Sequence, residues 1–430
     1  MRRQLLPRRV VVIGGARTPI GGFLGSLRAT PPSKLAAAAA ASAIKRSGLS
    51  PAEIQQCVVG QVLAAGQGRA SHRLAMSLAG TGRFPHRADI FLFCVVFGIK
   101  KAREGGYRLG DGSLVDSVVF DALNGPNFQL IPGEEAEAAA VGHGISRADC
   151  DEYAVRSFKR AADAASKGFF GLEGLEPLAA AAAGAWLLLG ELGSTPSAHG
   201  MGSSIFDPQE QQQLLQRRAS AHPSGRQQLL QQRQRQQQQQ TREQLQHDEE
   251  VRRISLDRVA SARPIFRSDG VLTAANSCKL GDGAAALVLG EEGEARKRGL
   301  RPLARVLSFA DAGGRDDGAP FTLPSEVAIL RALRLAGLER AREFLLPVDL
   351  YEVHEAFAAL PLLLMRRLDI CASRVNVNGG AISLGHPFGM SGVRMVLSLA
   401  AALRARDLTF GCAVACNGAD SATALVLEAL

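Results

Sequence analysis

The chain reads as an α/β protein of two or three domains, and three observations lead there. Short apolar runs rich in Val and Ile alternate with longer stretches of helical period. Glycine-rich or polar turns mark the changeovers, as in βαβ units around a mainly parallel sheet. At 430 residues, 46% of them hydrophobic, the chain can bury more than one core.

In chain order, RRVVVIGGARTPIG predicts a buried strand and a Gly turn, and SKLAAAAAASAIKRSGL a helix ended by Gly48. QQCVVGQVLAAGQG predicts a second strand and ASHRLAMSLAG a second helix. SRADCDEYAVRSFKRAADAASKGF reads as a long charged helix capped by Ser146. From Leu178 to His247 an alanine block, a Gly/Ser/Pro stretch and a polyglutamine tract predict a disordered insertion. Pattern resumes at DEEVRRISLDRVASARPIF, and TAANSCKLGDGAAALVL joins a polar loop to an apolar strand. RPLARVLSFADAG opens a second α/β unit. VDLYEVHEAFAAL, VNVNGGAISLGH and TFGCAVACNGAD follow, each a strand pattern ending in a polar or Gly-rich turn, and Ser391 reads as the N-cap of an amphipathic helix.

The formal charge of +9 is concentrated in two pieces. MRRQLLPRR carries four arginines, and Gln209–His247 has a surplus of four arginines over its two glutamates. The remainder is near neutral and has no basic stretch interleaved with aromatics, which argues against nucleic acid as a partner. Seven scattered cysteines (57, 94, 150, 278, 371, 412 and 416) show no C-x-x-C or zinc spacing and suit a reducing compartment. LAAAAAGAWLLLG is too short for a membrane span, so no membrane association is expected. The Arg-rich start lacks the apolar core of a secretory signal.

Three reactive side chains, His354, His386 and Cys416, fall at comparable predicted strand ends. That edge of an α/β sheet is where ligands bind, and several such groups at one edge are hard to explain as structural. Two histidines and a cysteine without metal-ligand spacing point to acyl-transfer or carbon-acid chemistry. His386 can lower a thiol's effective pKa as its base, and imidazole N–H or Gly-lined backbone can stabilise an oxyanion. Cys94, in FLFCVVFGIKK, is the candidate nucleophile in the first half, although its apolar neighbours also suit a buried, inert thiol.

The stretches VVVIGGARTPIGGFLGSL, VVGQVLAAGQG, GDGSLVDSVVFDAL, TAANSCKLGDGAAALVL, HEAFA, VNVNGGAISLGHPFGMSG and ACNGADSATAL resemble those of the thiolase family. The resemblance is strongest to its acetoacetyl-CoA-forming branch. It implies a thiolase fold of two similar halves, each with a mixed five-stranded sheet, plus an inserted loop domain. The implied division is 1–103 with 270–299 for the first half, 104–269 for the loop domain and 300–430 for the second half. The implied reaction is the reversible condensation of two acetyl-CoA to acetoacetyl-CoA and CoA, with no covalent cofactor, in a mitochondrial or cytoplasmic homodimer or homotetramer.

The resemblance also implies roles. His386 would activate the nucleophilic cysteine and help polarise the thioester oxygen, and Cys416 would act as acid and base at the methyl of the second acetyl-CoA. His354 would serve the oxyanion, at a position where this branch usually has asparagine. Gly418 would offer its backbone N–H to the acyl-enzyme oxygen. Cys278, in place of a serine, and Phe357 would line the CoA tunnel. A potassium ion would lie near Tyr153, Ala274, Ala275, Ser277 and Ile382.

Two stretches depart from the family pattern. Where relatives read V-C-A-S-G-M-K-A, followed by a helix, a strand and a Gly-rich loop, this chain has FCVVFGIKKAREGGYRLGDG and is shorter. LIPGEEAEAAA stands where a Met-Gly-Ser-Cys-Ala-Glu stretch is expected. The alternatives to an active enzyme are therefore a non-catalytic thiolase-fold subunit, a CoA-binding remnant, or a reading frame from which an exon has been lost.

Overall fold

The computed structural model describes residues 9–62, 71–80, 132–175, 247–253, 255–313, 323–338, 348–417 and 421–430. Strand β1 (Val10–Arg17) is buried along nearly its whole length, as its unbroken apolar run predicts. After a two-residue β2 (Gly21–Gly22) comes α1 (Pro32–Ser47), with proline in its first turn, where a missing N–H costs nothing. Gly48 closes α1 at φ 75°, the left-handed conformation glycine adopts freely. Helix α2 (Ser71–Leu78) follows, then α3 (Pro132–Gly142), α4 (Arg147–Ser166) and the single turn α5 (Phe169–Leu172). Ser146 caps α4 as expected: its hydroxyl accepts from the Asp149 amide, and the Asp149 carboxylate accepts from the Ser146 amide.

The second half supplies α6 (Glu250–Arg253), β3 (Gly281–Asp282), β4 (Ala285–Glu291), α7 (Glu292–Lys297) and β5 (Ala304–Ala312). It continues with α8 (Leu323–Ala336), β6 (Leu350–Val353), α9 (Ala359–Leu368), α10 (Ala381–Leu384) and α11 (Ser391–Ala405). It ends in β7 (Phe410–Asn417) and β8 (Ser421–Ala429). All described residues belong to one unit built from 1–177 and 247–430.

Two expectations are corrected. The sheet is not mainly parallel: its order is β4-β1-β5-β8-β7-β6, and only β6–β7 pairs in parallel. Three residues join β7 to β8, too few for a crossover, so these two must run antiparallel. The described strands form one six-stranded sheet, in which β1 of the first half pairs with β5 of the second, and a two-stranded ribbon; the stretches 63–70 and 81–131 of the first half lie outside the described residues. Finally, QQCVVGQV forms no strand: it has a single bridge residue, Gln56, and both sides of β1 are already taken by β4 and β5. The insertion predicted at 178–247 lies, apart from His247, outside the described residues, as does Cys94.

Helices cover the sheet on both faces. On one, Ile329, Ala332 and Leu333 of α8 pack with Val353, Cys412, Val414 and Val426. On the other, Leu399, Ala400 and Leu403 of α11 pack with Phe169 and Phe170. A third cluster holds Tyr153 and Phe158 of α4, Leu272, Leu363 and Ile382, and Cys416 packs against it. Each fully buried Leu or Ile contributes roughly 1.5–3 kcal/mol, which anchors the loops that carry the reactive groups.

Candidate active site

His354 leaves the end of β6, where its amide donates to the Val414 carbonyl (2.9 Å), and Cys416 lies near the end of the adjacent β7. His386 reaches the same place differently, since VNVNGGAISLGH is not a strand. Asn376 turns to φ 48°, its Oδ1 accepts from the Val353 amide (2.7 Å), and its Nδ2 lies 2.9 Å from the Val353 carbonyl, the Tyr153 hydroxyl and Glu355 Oε1. A side chain that bonds back to β6 and a left-handed backbone break the strand, and the chain goes on as α10. His386 therefore stands in the α10–α11 loop, its amide bonded to the Lys279 carbonyl (2.8 Å).

The two imidazole centroids are 4.2 Å apart with the rings tilted by 47°, and Phe388 lies 4.7 Å from His386, tilted by 57°. Burial, helped by the Arg394 charge, pulls the His354 pKa down to about 3. Burial, His354 and Arg394 together hold His386 well below the usual histidine range. Both rings are thus neutral at neutral pH. Arg394 is itself buried, with Nη1 donating to Glu352 (2.7 Å) and to the Ser398 hydroxyl (3.4 Å).

Ser391 fixes which nitrogen of His386 is free. It is the first residue of α11 and not its N-cap: Met390 holds that position without a side-chain bond. The Ser391 hydroxyl donates to the Pro387 carbonyl (3.1 Å) and lies 2.6 Å from His386 Nδ1. With its proton engaged, the hydroxyl accepts from Nδ1–H, leaving Nε2 as a lone-pair base. His386 also lines a cleft of about 860 Å³ bounded by Pro387, Phe388, Met390, Cys57 and α1; His354 and Cys416 do not.

Cys416 is a protonated thiol, pushed up to about 12 by burial. Cys278, its amide on the Ala356 carbonyl (2.9 Å), is likewise pushed up to about 12 by burial and by the neighbouring Cys416. Phe357 bridges to Ser277 in the backbone and meets Phe266 edge-on at 5.6 Å. His354, His386, Cys416, Cys278 and Phe357 are thus brought together, whereas Cys94 and Gly418 lie outside the described residues.

Glu355, between His354 and Phe357, was missed by sequence reasoning. Its buried carboxylate accepts from the Tyr153 hydroxyl (2.8 Å), the Ser157 hydroxyl (2.9 Å), Asn376 Nδ2 (2.9 Å) and the Ile382 amide (3.0 Å). Its signal was the lone acid inside the apolar HEAFA. Asn376, Arg394, Lys279 and the role of Ser391 were missed too. Ser391 carried the most legible sign, a hydroxyl five residues after the histidine.

Of the five residues expected around potassium, Ile382 and Tyr153 already have their oxygens engaged. Lys279 Nζ donates to the Ile382 carbonyl (2.9 Å), so a cation already sits on that oxygen. The Tyr153 hydroxyl is engaged by Glu355 and Asn376, and Ala274 is exposed.

Residues 300–429 match the family model described as "Thiolase, C-terminal domain", and residues 10–91, 98–175 and 226–293 match "Thiolase, N-terminal domain". "Acetyl-CoA acetyltransferase 2" of Arabidopsis thaliana is 32% identical, the match covering 99% of this chain and 98% of that protein. "Acetyl-CoA acetyltransferase, mitochondrial" of Mus musculus is 30% identical over 98% and 91%. The fold is similar to the crystal structure of human mitochondrial 3-ketoacyl-CoA thiolase in complex with CoA, at TM-score 0.76 and 25% identity over the whole of both chains.

Proposed function

The chain belongs to the thiolase family, and from that premise we propose that it is an acetyl-CoA C-acetyltransferase, condensing two acetyl-CoA reversibly to acetoacetyl-CoA and CoA. The observation that carries this is the neutral imidazole pair at 4.2 Å, with Ser391 at His386 Nδ1 and His354 tied by its amide to β7, the strand that carries the protonated Cys416 thiol.

In this reading Nε2 of His386 takes the proton of the nucleophilic thiol, assigned to Cys94. The thiolate attacks the acetyl carbonyl, the new C–S bond forms, and the bond to CoA breaks. Cys416 gives its proton to the departing CoA thiolate. As a thiolate it then takes a methyl proton from the second acetyl-CoA, whose carbanion attacks the acyl-enzyme and releases the Cys94 thiolate, which regains its proton from His386. A thiol with so high a pKa is a strong base once ionised, as a weak carbon acid requires. His354 serves an oxyanion as a neutral donor, and the Gly418 amide is assigned to the acyl-enzyme oxygen. Cys278 and Phe357 border the CoA arm, and the domain division is 1–103 with 270–299, 104–269 and 300–430. A homodimer or homotetramer of the mitochondrion or cytoplasm suits the family and the free cysteines.

One observation favours a second reading, CoA-thioester binding without turnover: Cys94 stands in FCVVFGIKK and not in V-C-A-S-G-M-K-A. Exchange of labelled CoA into acetyl-CoA by the purified chain decides between them. Exchange, with an acetyl group mapped to Cys94 by mass spectrometry, is expected for the enzyme. Binding of CoA without exchange would leave only the second reading.

A further inference from the structure

Lys279 is tied to the His386 loop at two points. Its carbonyl accepts from the His386 amide (2.8 Å), and its ammonium donates to the carbonyl of Ile382, four residues before His386. The ammonium also sits 4.7 Å above the centre of the Phe158 ring, a favourable seat for a cation. Burial lowers its pKa, and Glu250, Cys278 and Glu355 pull the other way. Ile382 is thus bracketed by opposite charges, with the Glu355 carboxylate on its amide and the Lys279 ammonium on its carbonyl. Glu355 makes no ion pair among the described residues; its partners are two hydroxyls, an amide side chain and a backbone N–H.

We propose that the Lys279 ammonium acts in this chain as a tethered monovalent cation, holding the α10–His386 loop in place and making the protein indifferent to potassium. A second cation coordinated to the Ile382 oxygen would lie within a few ångströms of the ammonium and be repelled by it in this low-dielectric setting. The tether also supplies the charge as the chain folds, with no ion to be captured from solution. Lys279 is a positioning residue; it acts on the reaction through the loop that carries His386. The inference rests on the family reading only for where a free cation would otherwise sit.

Thermal unfolding of the purified full chain tests it without requiring turnover, so its failure is distinct from failure of the proposed activity. Melting is followed in KCl, NaCl and choline chloride at equal ionic strength, for the native chain, K279A and K279Q. The native Tm is expected to be the same in all three salts. The variants are expected to melt lower and to regain about 2–4 °C in KCl but not in choline chloride, as an ion binding the vacated seat stabilises the fold. A potassium-specific rise in the native Tm overturns the proposal, and so does a variant that folds and responds equally to all three salts. Should neither variant fold, the native chain decides alone: indifference supports the tethered charge and a potassium response refutes it.

Discussion

The single proton of the Ser391 hydroxyl goes to the Pro387 carbonyl, and from that the tautomer of His386 follows. Ser391→Ala removes the acceptor for Nδ1–H while leaving the ring in place, so kcat is expected to fall about 10- to 100-fold with little change in KM. Steady-state thiolysis of acetoacetyl-CoA measures this, with Ser391→Thr restoring most of the rate; an S391A chain with native kcat would show that the hydroxyl does not orient the base. His354 makes a separate prediction through pH. Its pKa falls from the usual histidine value to about 3 on folding. Between these limits the unfolded chain binds the extra proton and the folded chain does not, so stability is full above about pH 6.5 and is lost as pH falls. The slope approaches about 1.4 kcal/mol per pH unit. His354→Asn cannot titrate, and from about pH 7 to about pH 5 it should lose roughly 2 kcal/mol less than the native chain in urea unfolding. Equal losses would mean that His354 does not stay neutral. Residue types were legible in the sequence at this scale, but their pairing was not. HEAFA and GHPFGMSG announced their histidines, yet a 2.6 Å contact and a desolvated ring come only with the fold.

At the scale of elements, the passage from Val375 to His386 shows where pattern reading failed. The alternation in VNVN matches a strand, but Asn376 spends its amide on β6 and Glu355 and takes φ 48°. A buried side chain that completes another strand's hydrogen bonds outweighs local propensity. The glycines that follow are there for contact as much as for turning. Gly379 has φ 84°, and a Cβ on Gly380 would lie 2.6 Å from Glu355 Oε2. Gly380→Ala should therefore push the carboxylate off the Ile382 amide and the Tyr153 hydroxyl and cost about 1–3 kcal/mol. Chemical denaturation of G380A checks it, and a loss below about half a kcal/mol would mean that the loop yields at no cost. By contrast α1 and the start of α4 were legible, though α4 ends at Ser166 and not at Phe169. Their period, the Gly48 stop and the Ser146 cap are local chemistry, which needs no distant partner to act.

Across the whole molecule the partners that matter are far apart in sequence, which is why the topology was not legible. The antiparallel sheet depends on β1 meeting β4 and β5, and nothing local to Val10–Arg17 names them. One residue of β1 draws these distant pieces together. Arg17 is wholly buried, with Nε on Glu173 (2.7 Å) and Nη1 and Nη2 on Asp248 (2.8 and 2.9 Å), and its amide bonds the Gly174 carbonyl (3.0 Å). Glu173 lies just before the stretch 176–246 and Asp248 just after it, so one guanidinium grips both ends of that stretch. Asp248 in turn accepts from the Ile20 amide (2.8 Å), and Glu173 from the Ser398 hydroxyl (2.6 Å), which carries the network to α11 and Arg394. Entropy of loop closure grows only slowly with length, so a long stretch is tolerated if its ends are held. Arg17→Met keeps the bulk but strands two buried carboxylates, and is expected to cost about 3–5 kcal/mol. Arg17→Lys, one point charge in place of a fork, should recover part of that and not all. Urea unfolding of both variants decides it. A loss below about 1 kcal/mol in R17M would mean that the two carboxylates find other partners, and the two ends of the stretch would then be held by packing alone.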